Sequence, residues 1–301
     1  MTANKTFTRR QFIKNTTLAA VGSSLFIGAP SINREAHAAD EVMSKVVLIR
    51  NKEVLDADGI PKAQVVQEML DSAITELTGY KSPVEAWKSI IKPSDIVGIK
   101  TNVWKYITTT SQVENALKKR VMDAGVPETN IGIDDRGVLT NPIFMKSTAL
   151  INARPMRSHH WAGVGTLIKN YVMFVPDPFN YHGDSCADLA KIWDLPHVKG
   201  KTRLNVLVML TPQFHGVGPH NFNPQYVWKY NGLLVGFDPV ALDSTGVRII
   251  QAKRLEFFGE DRPLNPPAKH IFIADTTYHL GTANPNKIKL IKLGDESDIL
   301  I

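Results

Sequence analysis

Imidazoles and strand-end charges are where this chain could do chemistry. His159, His160, His182, His215 and His220 lie in the middle third and just beyond it. Imidazole binds zinc, copper, nickel or iron, so His159, His182 and His215 form a candidate metal set, with a divalent metal as the candidate cofactor. No His-Glu-x-x-His or other compact ligand spacing is present, so surface, capping or hydrogen-bonding histidines are the competing reading. Lys100 with Asn102, Asp134 with Asp135 and Arg136, and Arg157 with His159 and His160 each follow a strand-like run. Ligands in open α/β sheets collect at the carboxyl ends of strands, so these groups could share a cleft. Taken singly, each also reads as a turn cap or a solvated loop.

Lys169-Asn170 could present a cation and an amide to an anionic ligand. In His215-Gly216-Val217-Gly218-Pro219-His220, two glycines permit close backbone approach and free amides could bind an anion. The same run reads as a tight turn, and it lacks Rossmann and Walker spacing. Asp238 sits at the cap position of a helix, and Asp243 lies near that helix's second turn, where its dipole favours a carboxylate. His159, Lys169 and Asp243 are therefore the candidate catalytic groups, able to hold or move a proton. Lys100, Asn102, Arg157, Asn170, Gly216, Gly218 and Asp238 are the candidate ligand- or cofactor-binding residues.

Elements able to position these groups alternate along the chain. Val46–Ile49 is a β-branched run, and Pro61 opens a stretch with apolar residues at three- and four-residue spacing that ends at Gly79. Helices are predicted over 83–91 and 111–125, and strands over 95–100, 131–133, 148–153 and 204–210. A long helix is predicted from Pro239 through Phe258, followed by strands over 269–274 and 287–293. Residues 155–185 lack periodicity and are too long for a simple connection, which suggests a functional loop. The alternation predicts an α/β fold with a largely parallel central sheet, flanking helices and long irregular site-bearing loops.

Of 301 residues, 43% are apolar and 21% charged, an ordinary globular composition. The net charge of +6 is misleading, because residues 1–38 hold five basic side chains against Glu35 alone. The remaining chain is nearly balanced and has no basic stripe, so nucleic acid is not an expected partner. One cysteine, Cys186, excludes an internal disulfide and an iron–sulfur cluster ligated by the cysteines of one chain.

Thr8-Arg9-Arg10-Gln11-Phe12, a mildly apolar stretch to Ala29 and Ala36-His37-Ala38 have the layout of an export signal. The paired arginines resemble the twin-arginine type, whose machinery exports folded proteins. The expected organisation is a signal over residues 1–38 and a single α/β domain over 39–301. The expected location is the periplasm or cell exterior, with the twin-arginine machinery as a partner and no stable membrane insertion after processing.

In chain order come Lys92-Pro-Ser-Asp-Ile-Val-Gly-Ile-Lys-Thr-Asn102, Leu150-Ile-Asn-Ala-Arg-Pro-Met-Arg-Ser-His159, Lys169-Asn170, His182, Gly218-Pro219 and Gly236-Phe-Asp-Pro-Val-Ala-Leu-Asp243. This ordered set resembles domain-of-unknown-function family 362. The likeness implies an α/β architecture and no particular reaction. Two family features are missing. Relatives commonly carry an Asp in the strand before the Gly-Pro loop, where residues 204–211 have none, and an acidic residue just before that loop, where Phe214-His215 stands. Some relatives also carry ferredoxin-type cysteine clusters, which this chain lacks.

The leading expectation is an exported protein that binds a small anionic molecule in a strand-end cleft, as an enzyme assisted by a metal. Its rival is a non-catalytic periplasmic ligand-binding or assembly protein.

Overall fold

In a strand, successive side chains point to opposite faces. Val46 and Leu48 accordingly join one apolar cluster, and Val47 and Ile49 join another. A strand buried on both faces needs helices on both sides. The computed structural model describes residues 43–216 and 222–301 and shows that arrangement. The signal-like segment with Arg9-Arg10, and Gly218 with Pro219 and His220, lie outside the described residues.

Eight strands form one sheet among the described residues. They are β1 (Ser44–Arg50), β2 (Val97–Lys100), β3 (Ile131–Asp134) and β4 (Ala149–His159), then β5 (Gly163–Gly165), β6 (Thr202–Gln213), β7 (Gly232–Gly236) and β8 (Ile288–Gly294). Their order is β3-β2-β4-β6-β7-β1-β8, with β5 paired to β4. Along that path all strands run one way except β7, which is antiparallel to both β6 and β1. The carboxyl ends of β2, β3, β4 and β6 therefore gather at one edge, while the segment after β7 leaves from the opposite edge.

Helices α1 (Ala63–Thr78), α2 (Pro83–Ile90) and α3 (Ser111–Asp123) cover one face. The helix α1 buries Val66, Met69, Leu70, Ala73, Ile74 and Leu77, and stops where Gly79 takes a φ of 80°. Each of these side chains except Ala73 contributes roughly 2 kcal/mol. Helices α4 (Pro142–Lys146), α5 (Leu167–Asn170), α6 (Pro239–Phe258) and α7 (Lys269–Thr276) lie on the other face. At Gly246 a Cβ would come within 2.6 Å of the Met156 sulfur, so the absent side chain lets α6 pack close to β4. Asp243 sits about one turn earlier on the same face. No described helix is long and apolar enough to cross a membrane.

Two expectations are corrected. Residues 269–274 form the helix α7 instead of a strand. Ile271 and Ala274 are buried three residues apart while Phe272 is 62% exposed, the spacing of a helix with one face inward. Residues 155–185 are not one long loop. The strand β4 continues to His159, turns into β5 and leads to α5 and a series of short 3-10 turns. The hydrophobic pattern fails there because Arg154, Arg157, Ser158 and His159 are buried polar residues of a strand.

Candidate functional site

At the carboxyl ends of β2, β3 and β4 lies a cleft of about 180 Å³. The turn after β2 supplies Asn102 and Trp104, and the turn after β3 supplies Asp135 and Arg136. Arg154, Arg157 and His159 come from β4, Lys169 and Asn170 from α5, and His182 from a following turn. Pairing between β4 and β6 is broken near the cleft, jumping from Pro155 opposite Val208 to Arg157 opposite Gln213. Pro155 cannot donate to the ladder at that point, which is where a sheet tolerates proline. A larger cavity of about 300 Å³ lies elsewhere, beside Trp228 and Asp298. Its arginine, Arg50, is already bonded to the carbonyls of Tyr230 and Ser297 and stacked on the Tyr230 ring. The chemistry therefore points to the smaller cleft.

Under the cleft, Lys100 is fully buried and its Nζ lies 2.5 Å from Asp135 Oδ1. Burial pulls Lys100 down to about 8 while Asp135 draws it upward. Burial works against the Asp135 carboxylate, but the charge and hydrogen bond of Lys100 and the Val103 amide carry it below its usual range. The two form an ion pair at neutral pH. Lys100 Nζ also donates to Asn170 Oδ1 at 3.4 Å. From there Asn170 Nδ2 donates to Asn152 Oδ1, Asn152 Nδ2 to Asn205 Oδ1, and Asn205 Nδ2 to the Phe237 carbonyl. This amide ladder crosses three strands and holds α5 against the sheet.

The walls of the cleft are cationic. Arg154 and Arg157 are 3% and 5% exposed, and the Nε of each is buried without a hydrogen-bond partner. Arg157 stacks on Trp104 at 4.0 Å and donates to the Ser158 carbonyl beside it. Burial lowers Arg154 to about 10 against the pull of Asp135 and Asp243, and burial with the charge of Arg154 lowers Arg157. Buried donors without acceptors are costly and rare.

Lys169 is also buried, and burial together with Arg154 and Arg157 lowers it to about 8 despite the opposing influence of Cys186. Its Nζ lies 3.0 Å from His182 Nε2 and 3.6 Å from Cys186 Sγ, leaving its third proton for the cleft. His182 Nδ1 faces the Phe179 carbonyl at 3.3 Å, so the proton on that nitrogen is assigned from its partner. Cys186 is held there by a turn in which Asp184, Ser185 and Cys186 all have left-handed φ, at 48°, 55° and 62°. Three such residues in a row, none a glycine, store strain of the kind found at functional sites. Burial, then Lys169, Arg157 and Arg154, drive His159 far below its ordinary value, so it is neutral. Its Nδ1 accepts from the Trp161 amide at 3.2 Å, which assigns the proton to Nε2.

Several sequence-predicted residues are placed elsewhere. Asp243 is fully buried and does not line the cleft; it accepts from the Thr166 hydroxyl and from the Leu167 and Ile168 amides at the start of α5. Burial pushes its carboxyl up to about 7 against those three hydrogen bonds. Asp243 thus holds the short helix that carries Lys169 and Asn170. Asp238 is also outside the cleft, because β7 runs against its neighbours and delivers the start of α6 to the opposite edge. There it caps α6 through the Val240 and Ala241 amides and accepts from Ser44 and Thr282.

His215 is bonded to Arg254 and packed against Tyr226 and Phe258. The expected set of His159, His182 and His215 is therefore not assembled, and no group of three metal-ligating side chains occurs among the described residues. The cations around His159 and His182 would also repel a divalent metal, so the residues present do not fit one. Gly216 meets the site only indirectly, its carbonyl accepting from Ser158. Arg154 was missed because the strand was expected to end at residue 153, whereas it runs on to His159 and buries the arginine; its signal is a charge at an inward position.

The fold and cleft define a mostly parallel α/β protein with a buried cation cluster at its strand ends. Within that class, residues 136–248 match the family described as Domain of unknown function (DUF362). That span includes Arg154, Arg157, His159, Lys169 and Asn170 but stops short of Lys100 and Asp135. Comparison with curated proteins gives no match, and comparison with solved structures gives none either.

Proposed function

We propose that this chain is an exported protein whose strand-end cleft binds a small anionic molecule. The observation that carries this reading is the pair of buried arginines, Arg154 and Arg157, which line the cleft with no free carboxylate beside them among the described residues. His159 adds a neutral Nε2–H donor and Lys169 a proton near the pH at which an amine can both give and take one. As an enzyme, the protein would use the arginines to hold and stabilise negative charge and Lys169 to move a proton.

A binding protein without catalysis is the second reading, and one observation favours it. Among the described residues Asp135 is the only carboxylate lining the cleft, and its oxygens are taken by Lys100 and the Val103 amide. An acid–base pair with a free carboxylate is thus not built there.

Thermal unfolding at constant ionic strength tests the site. Millimolar sulfate should raise the melting temperature of the natural chain relative to chloride, since a ligand bound only to the folded state stabilises it. Arg157→Gln should abolish that increment. An equal increment in the variant would show a general salt effect and remove the cleft from consideration.

A further inference from the structure

The balance of charge and donors inside the cleft narrows the anion it takes. Arg154, Arg157 and Lys169 all line it, all are buried, and each lies within electrostatic reach of the other two. Arg136 adds a fourth cation at the exposed rim. Against these stand Asp135, already committed to Lys100, and Asp243, which lies outside the cleft and is held by the Thr166 hydroxyl and two amides. A single negative charge would leave most of this cluster uncompensated in a medium that screens poorly.

The free groups are also all of one kind. The Arg154 and Arg157 guanidiniums, His159 Nε2 and the third Lys169 proton are donors, so a fitting ligand presents acceptors to the groups that line the cleft. The guanidinium fork suits planar or tetrahedral oxyanions. At about 180 Å³, the cleft is below the roughly 300–1,000 Å³ of sites for drug-sized ligands, which favours both charges on one centre.

We propose that the cleft takes a compact dianion, a phosphate-type oxyanion heading a small molecule. The proposal rests on the anion-binding reading above and sharpens it to a substrate class. Trp104, lying beneath Arg157, forms an apolar backing on one side of that headgroup.

Isothermal titration of the purified chain at constant ionic strength tests the class with four probes: methyl phosphate, sulfate, malonate and acetate. Methyl phosphate at pH 7 and sulfate should bind at least about tenfold more tightly than malonate or acetate. Affinity for methyl phosphate should rise about tenfold from pH 5 to pH 7, as its second proton leaves near pH 6. Sulfate, whose charge is constant over that range, should show no such rise. Arg136→Ala changes an exposed residue, so its fold is safe, and it should weaken sulfate binding several-fold.

Acetate binding as tightly as sulfate would leave the anion site standing and overturn the dianion assignment. Malonate matching sulfate would replace the single-centre dianion by a two-ended one. No binding of any probe, with Arg136→Ala silent, would overturn both this proposal and the reading it rests on.

Discussion

A buried, pKa-lowered lysine costs stability for as long as it carries its charge. Lys169 lies near 8 in the folded chain and near 10.5 when unfolded, so between those values the unfolded state binds more protons. Stability attributable to Lys169 is therefore lowest below about pH 8 and recovers as pH rises toward 10.5. Lys169→Met should raise the melting temperature at pH 7, and that advantage should shrink steadily from pH 8 to pH 9.5. The same variant should weaken anion binding about tenfold or more, an exchange of stability for function. A variant less stable at pH 7 with unchanged binding would show that Lys169 is a structural cation. Its candidacy was legible from the Lys169-Asn170 pair in the irregular segment, and that of Arg157 and His159 from charges following a strand. Arg154 was not, because burial of a charge inside a strand is visible only once its neighbours in space are known.

Elements decide which of two similar aspartates serves the site. Asp243 and Asp238 both lie near the start of α6, yet one supports α5 and the other faces Ser44 and Thr282 at the far edge. Asp243→Ala leaves the Thr166 hydroxyl and two amides without acceptors and should cost roughly 1–3 kcal/mol. It should also weaken anion binding, because the turn carrying Lys169 loses its anchor. Asp238→Ala should cost about 1 kcal/mol for a lost helix cap and leave anion affinity unchanged. Chemical denaturation with parallel titrations separates the two, and equal effects on affinity would contradict their placement. The start of α6 was readable from Asp238-Pro239. The strand β7 was not among the predicted ones, and its direction has no sequence signal, since five apolar or glycine residues pair equally well either way. The α7 segment misled for a related reason, its isoleucines fitting a strand until Phe272 is found facing outward.

On the scale of the whole molecule, composition and alternation were enough for the α/β class, because a sheet covered on both faces leaves a strong apolar signature. The site needed more, since it is assembled from four segments between Asn102 and His182 that only the sheet order brings together. The proposed export also belongs to this scale. Replacing Arg9 and Arg10 together with Lys should leave unprocessed chain in the cytoplasm, as cell fractionation would show. Processing that continues in the double variant would point to another route.

The asparagine ladder beneath the cleft has a direction. Along the row each amide turns its oxygen back toward the cation and passes one Nδ2 proton to the next member, so the links form an arrow from the ion pair to the Phe237 carbonyl, while Asn170 Nδ2 also donates to the Lys100 carbonyl. No member can flip alone without setting donor against donor, so the row behaves as a keyed lock in which all tumblers share one setting. Spontaneous loss of one amide nitrogen, the ordinary ageing reaction of asparagine, would jam it. At Asn152 an acceptor would then confront both Asn205 and the Leu167 carbonyl, and an old molecule would lose the seat of Lys169 without any change in the residues that meet its ligand.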